Sequence, residues 1–240
     1  MRYQFVDCRW ELGNPSRGRE LYSEGHIPGA SFLDVDTDLS APRGERGRHP
    51  LPEPEIFAEV ASRAGIGAGV FVVVYGVGGG AERLWWLLRH FGHDEVAVLR
   101  EGIRAWRGPL QAGDEKVEPA RFEPRPRTED TIEVDELAER LDDPALVIVD
   151  ARVPARFRGE PNPIDRIPGR IPGAHNVPFT SNEPIPDDVL AAEEIAVYCG
   201  SGVTSCVPLL ALAEAGRPDA KLYAGSWSEW EQRDLPREKG

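Results

Sequence analysis

The chain reads as an α/β protein made of two copies of one domain, each with a mostly parallel central sheet flanked by helices. Three observations lead there. Val6-Asp7-Cys8-Arg9 and Gly25-His26-Ile27-Pro28-Gly29-Ala30 recur as Val149-Asp150-Ala151-Arg152 and Gly169-Arg170-Ile171-Pro172-Gly173-Ala174, at offsets of 143 and 144 residues. Val72-Val73-Val74-Tyr75-Gly76 is answered by Ile195-Ala196-Val197-Tyr198-Cys199 at an offset of 123, and Trp106 by Trp230 at 124. Short apolar runs, the mark of buried parallel strands, alternate throughout with helix-length stretches.

Taken in order, the first copy has a strand near Val6, a second at 70–75 and a helix at 82–91. Residues 111–130 are rich in proline and charge and poor in apolar side chains, which reads as a linker. The predicted division is 1–112 for the first domain, 113–127 for the linker and 128–240 for the second domain. Ile132, Leu137 and Leu141 approach helical spacing. Residues 146–150 and 195–198 then read as strands, and 206–215 as the helix after them. Each copy is long enough for its own modest core.

Composition narrows the function classes. The hydrophobic fraction of 40% and charged fraction of 29% suit a globular chain. A formal charge of −13 argues against a broad basic face for nucleic acid or anionic lipid, but not against one positive pocket for a small anion. No apolar run approaches the roughly 20 residues that span a bilayer, and residues 1–10 carry Arg2, Asp7 and Arg9 with no secretory pattern. Three cysteines make no disulfide framework and suit a reducing, cytoplasmic compartment. There is no Cys-x-x-Cys pair and no zinc spacing among the five histidines, so no metal or other cofactor is expected.

Chemistry concentrates at Cys199. It closes a buried-strand pattern and opens Gly200-Ser201-Gly202-Val203-Thr204-Ser205 ahead of a helix, and ligands of open α/β sheets gather at such strand ends. Small residues let backbone N–H groups turn inward as an anion-binding nest, which lowers a thiol's pKa and favours the nucleophilic thiolate. Pro208 falls in the first helical turn, where a missing N–H costs little. Cys206 reads as core and Cys8 as packing. The first copy's counterpart loop, Gly76-Val77-Gly78-Gly79-Gly80-Ala81, holds no nucleophile. A Cys-x5-Arg phosphatase fails because the sixth residue after Cys199 is Ser205.

The string CGSGVTS at 199–205, the paired GHIPGA and GRIPGA segments and the ending GSWSEW at 225–230 resemble the tandem-domain rhodanese-type sulfurtransferases over nearly the whole chain. The loop is similar to that of the 3-mercaptopyruvate group, since thiosulfate enzymes usually carry basic residues after the cysteine. The resemblance implies two tandem rhodanese-like domains with the second catalytic. It implies a double displacement through a Cys199 persulfide, from a small anionic donor to a thiol or cyanide acceptor, with a thioredoxin-like reductant among the candidates. It assigns Ser201, His49 and Asp36 to a proton relay. Gly200, Gly202, Val203 and Thr204 form the loop that holds the sulfur. Arg156 is assigned to the donor carboxylate, which a planar guanidinium can grip with two hydrogen bonds. A second arginine expected about nine residues on is out of register: Ile164 stands there, and Arg166 is the nearest substitute. The family's histidine before Ile-Pro-Gly is Arg170 in the second copy. The competing expectations are thiosulfate as donor, or a non-catalytic binding or sensing module.

Overall fold

The computed structural model describes residues 2–240. They form two compact units, one of residues 2–41 with 51–127 and one of 42–50 with 128–240. The segment 42–50 therefore belongs with the second half of the chain.

In the first unit β1 (Arg2–Cys8), β2 (Ser31–Phe32), β3 (Val70–Gly76) and β4 (Val96–Val98) form a parallel sheet in the order β2-β1-β3-β4. Helices α1 (Arg17–Glu24), α2 (Pro54–Arg63) and α3 (Gly80–His90) and a 3-10 turn (Gly102–Ala105) connect the strands. The segment read as a linker runs along this unit: Phe122 is buried, and the Ala120 and Arg125 N–H groups donate to the Ser62 and Phe91 carbonyls. Its prolines suppress secondary structure, yet its backbone still finds partners.

The second unit repeats the plan. Its strands β5 (Leu146–Asp150), β6 (His175–Asn176), β7 (Glu194–Tyr198) and β8 (Lys221–Leu222) run parallel in the order β6-β5-β7-β8. Its helices are α4 (Val134–Glu139), α5 (Pro154–Phe157), α6 (Asp187–Leu190), α7 (Cys206–Glu214) and α8 (Ser226–Trp230). Among the described residues no helix is long and apolar enough to cross a membrane, and no cluster of His, Cys, Asp or Glu is arranged to hold a metal.

The two sheets share one register. Asp7 pairs with Tyr75 as Asp150 pairs with Tyr198, so Gly76 and Cys199 are equivalent strand-end positions. The repeated motifs are repeated hydrogen bonds. Arg9 grips Asp7 and donates to the Gly25 carbonyl at 2.7 Å, while Arg152 grips Asp150 and donates to the Gly169 carbonyl at 2.8 Å. The Ile27 N–H donates to the Tyr75 hydroxyl at 3.2 Å, and the Ile171 N–H to the Tyr198 hydroxyl at 3.1 Å. These buried charges are tolerable because each is paired and hydrogen-bonded. Arg152 also lies 4.7 Å over the ring of Trp227, which joins its ion pair to the core around Trp227 and Trp230.

Candidate active site

β7 ends one residue before Cys199, and the turn into α8 holds that residue by its backbone. The Cys199 N–H donates to Ser226 Oγ at 3.1 Å, and the Cys199 and Gly200 carbonyls accept from the N–H groups of Trp227 and Ser228. Ser226 sits at φ 53°, a left-handed conformation unusual for a residue with a side chain. Its counterpart in the first copy is Gly102, at φ 58°. The second copy thus carries strain in order to place a hydroxyl beneath the cysteine.

The N–H groups of Ser201 and Gly202 point at Cys199 Sγ from 3.4 and 3.2 Å. Gly202 makes this possible: at φ 81°, a Cβ there would stand 2.4 Å from the Ala224 carbonyl oxygen. Cys199 is 1% exposed, and burial alone would push its thiol up. Hydrogen bonds from the Thr204 side chain, the Ser201 N–H and Ser205 outweigh burial and leave it below its ordinary value. Cys8 goes the other way, because burial and the charges of Asp7, Asp38, Glu82 and Asp34 all raise it. Cys206 lies inside α7 with its thiol toward the Gly202 carbonyl. Val203 is buried in the same turn.

The first copy's loop is closed to such chemistry. A Cβ on Gly76 would lie 2.8 Å from the Cys8 carbonyl oxygen, and one on Gly80 2.2 Å from it. No side chain fits where the second copy has its cysteine.

Two groups on 42–50 reach the Cys199 loop. His49, 6% exposed, has Nδ1 2.7 Å from Ser201 Oγ. The Arg48 N–H donates to Ser228 Oγ at 3.0 Å. Gly47 permits this seating: at φ 100°, a Cβ would meet the Gly225 carbonyl oxygen and Ser228 Oγ, each at 2.7 Å. Asp36 belongs to the first unit, where its N–H donates to Asp34 Oδ1.

Arg156 grips Asp165 with Nε and Nη2 at 2.9 and 2.5 Å. Asp165 also faces Arg152 Nη1 at 3.5 Å, and these two guanidiniums hold its carboxyl below the ordinary carboxylate range despite burial. Arg156 Nη2 still lies 2.6 Å from where a Cβ on Gly200 would stand, and Arg48 Nη2 lies 2.9 Å from the same point. Nothing in the linear chain singles out Arg48, because a loop arginine 151 residues before the cysteine carries no local signal. Arg166, expected as the second guanidinium, has an exposed side chain, and the position beside Arg156 at Gly200 is taken by Arg48. The chain turns at 162–165, where Asn162 Oδ1 accepts the Ile164 and Asp165 N–H groups, and this aims Asp165 rather than Arg166 inward.

Comparison with known proteins agrees with this layout. The rhodanese-like domain model matches residues 2–109 and again 133–233. A Pseudomonas aeruginosa protein named "Probable 3-mercaptopyruvate sulfurtransferase" is 42% identical over 94% of this chain and 88% of its own length. The human 3-mercaptopyruvate sulfurtransferase is 37% identical over 97% of this chain and 86% of its own. A crystal structure of the Escherichia coli 3-mercaptopyruvate sulfotransferase superposes with a TM-score of 0.78 at 35% identity, covering 95% of this chain and 93% of that one. With the same motif hydrogen bonds in both halves and the family model matched in each, the chain belongs to the rhodanese-like family as a tandem pair of its domains.

Proposed function

We propose that this protein is a sulfurtransferase that takes sulfur from 3-mercaptopyruvate onto Cys199 and passes it to a thiol or to cyanide. The observation that carries the reading is the Cys199 sulfur, held below its ordinary pKa at a strand end by two inward N–H groups. The thiolate attacks the donor sulfur, and the carbon–sulfur bond breaks. The electron pair of that bond leaves with the pyruvate enolate, which takes up a proton, and Cys199 is left as a persulfide. In the second half-reaction an acceptor thiolate or cyanide attacks the outer sulfur, and the Cys199 thiolate departs.

The Ser201 and Gly202 N–H groups stabilise the charged persulfide as they do the thiolate. Ser201, paired with His49, supplies or removes the proton. Asp36 enters this relay on the family resemblance, and Asp36→Asn tests it through the pH profile of turnover. Arg156 offers a planar fork to a donor carboxylate, which favours mercaptopyruvate over thiosulfate and agrees with the names of the relatives. A thioredoxin-like dithiol is the proposed protein acceptor, and a reducing, cytoplasmic compartment suits the free thiols of Cys8, Cys199 and Cys206.

The test is thiocyanate formation from cyanide with each donor on one preparation. We expect a higher kcat/KM for 3-mercaptopyruvate. Equal or better use of thiosulfate overturns the donor assignment, and no turnover with either leaves a non-catalytic module.

A further inference from the structure

Ser228 stands between two groups that have to meet. It lies in α8, is 3% exposed, and uses its backbone and its side chain on different neighbours. Its N–H donates to the Gly200 carbonyl at 3.0 Å. Its Oγ donates to the Gly225 carbonyl at 3.1 Å and accepts the Arg48 N–H at 3.0 Å. A hydroxyl has one proton, so with that proton on Gly225 the lone pairs of the oxygen are left for the 42–50 segment.

The backbone contact bears on the nest. The Gly200 carbonyl and the Ser201 N–H belong to one planar trans peptide and point in opposite directions. Turning that carbonyl toward α8 therefore aims the Ser201 N–H at Cys199 Sγ, 3.4 Å away. The side-chain contact bears on the other partner. Arg48 directly precedes His49, so an anchored Arg48 N–H sets where the His49 backbone starts. From there the His49 ring reaches Ser201 Oγ at 2.7 Å. The contacts close a circuit, from Ser228 Oγ through Arg48, His49, Ser201 and Gly200 back to the Ser228 N–H. Gly47 lets the segment come this close, because a Cβ there would stand 2.7 Å from Ser228 Oγ. All of these residues belong to the second unit.

We propose that Ser228 is a positioning residue: its hydroxyl holds the 42–50 segment so that His49 meets Ser201, while its N–H separately holds the nest. This rests on the sulfurtransferase reading, with Ser201 and His49 as its proton relay. Proton transfer needs donor and acceptor within hydrogen-bond reach, and a displacement of about 1 Å can cost about 10²-fold in rate. Ser228 acts through His49, its own hydroxyl being spent on Gly225 and Arg48.

The experiment compares wild type, Ser228→Ala, His49→Ala and the double variant. Ser228→Ala keeps the N–H on Gly200 and removes only the acceptor of the Arg48 N–H. Its kcat with 3-mercaptopyruvate should fall about 10- to 100-fold with little change in KM. The double variant should be no slower than His49→Ala alone, because both changes remove the same contact. Alkylation of Cys199 by iodoacetamide should keep its rate and pH profile, since the nest is intact. Gly47→Ala pushes the same segment away without altering α8, so it should show the same pattern, and it replaces Ser228→Ala if that variant does not fold. An unchanged kcat in Ser228→Ala overturns the proposal. So do losses that multiply in the double variant, or an alkylation profile that shifts in step with kcat. Failure of the sulfurtransferase reading looks different: wild type then gains no persulfide sulfur on Cys199 by mass spectrometry. The imidazole NMR signals of His49 still test the positioning in that case, since they should move in Ser228→Ala and stay in place if the hydroxyl does not hold the segment.

Discussion

Two buried cysteines at corresponding ends of equivalent sheets behave in opposite ways, and the difference lies in their immediate neighbours. Cys8 is driven up by its burial and, in addition, by four nearby carboxylates. Cys199 faces N–H and O–H donors and is driven down. Cys199→Ser should abolish thiocyanate formation, whereas Cys8→Ser should retain most of it, and the reverse result would move the nucleophile. The sign of each shift sets the pH dependence. A lowered pKa keeps Cys199 reactive at pH values where an ordinary thiol is already protonated, and Cys8 stays inert well above them. Thr204→Val removes a donor to the thiolate, so its alkylation profile should move to higher pH without loss of the fold. His49→Ala removes the partner of Ser201 and should cost about 10² to 10⁴ in kcat. Undiminished turnover across pH would take His49 out of the mechanism.

The repeated motifs act as connectors between elements, tying each sheet to the turn after it. Arg152 carries the heavier burden of the two copies, because it serves Asp150, the Gly169 carbonyl, Asp165 and the face of Trp227 together. Arg152→Ala leaves the buried Asp150 carboxylate without its guanidinium and should destabilise the second unit by about 3 to 5 kcal/mol, read from chemical denaturation. Asp165 adds a pH signature. Its folded pKa is depressed, so its stabilising share is complete above the ordinary carboxylate range and drains away as pH falls through the folded value. Acid titration of Asp165→Asn should therefore show a shallower loss of stability. Most of these elements were legible from apolar runs and helical spacing. The expected helix at 82–91 begins two residues earlier, at Gly80, because the preceding glycine turn leads straight into it.

Across the whole chain the second unit is not contiguous in sequence. Residues 42–50 belong to it and bring Arg48 and His49. A fragment of 128–240 keeps Cys199 and its nest but lacks both side chains. Once circular dichroism shows that it is folded, it should form the Cys199 persulfide about 10² to 10⁴ times more slowly than the full chain. A fragment as fast as the full chain would remove 42–50 from the chemistry.

The duplication and the parallel sheets were readable in the linear chain, as was the candidate nucleophile. Each rests on local order: apolar runs make strands, small residues after a strand make a nest, and a motif repeated at a near-constant offset makes a second copy of the same hydrogen bonds. The preference for Cys199 over Cys8 was also readable, since Cys199 opens a loop of small residues while Cys8 answers Ala151 in the second copy; the carboxylates around Cys8 were not, because Asp34, Asp38 and Glu82 approach it only in the fold. The residue that stands beside Arg156 at Gly200 was not. Arg48 and Arg166 are both loop arginines in a chain with 25 of them, and the family resemblance pointed to the one nearer to Arg156. Only the folded backbone separates them. An asparagine turn directs Asp165 inward and leaves Arg166 exposed, while Gly47, able to adopt φ 100°, lets a distant segment seat Arg48 over Gly200. Local pattern carries no information about such long-range approach, because it depends on which backbones can come close, and that is settled by packing.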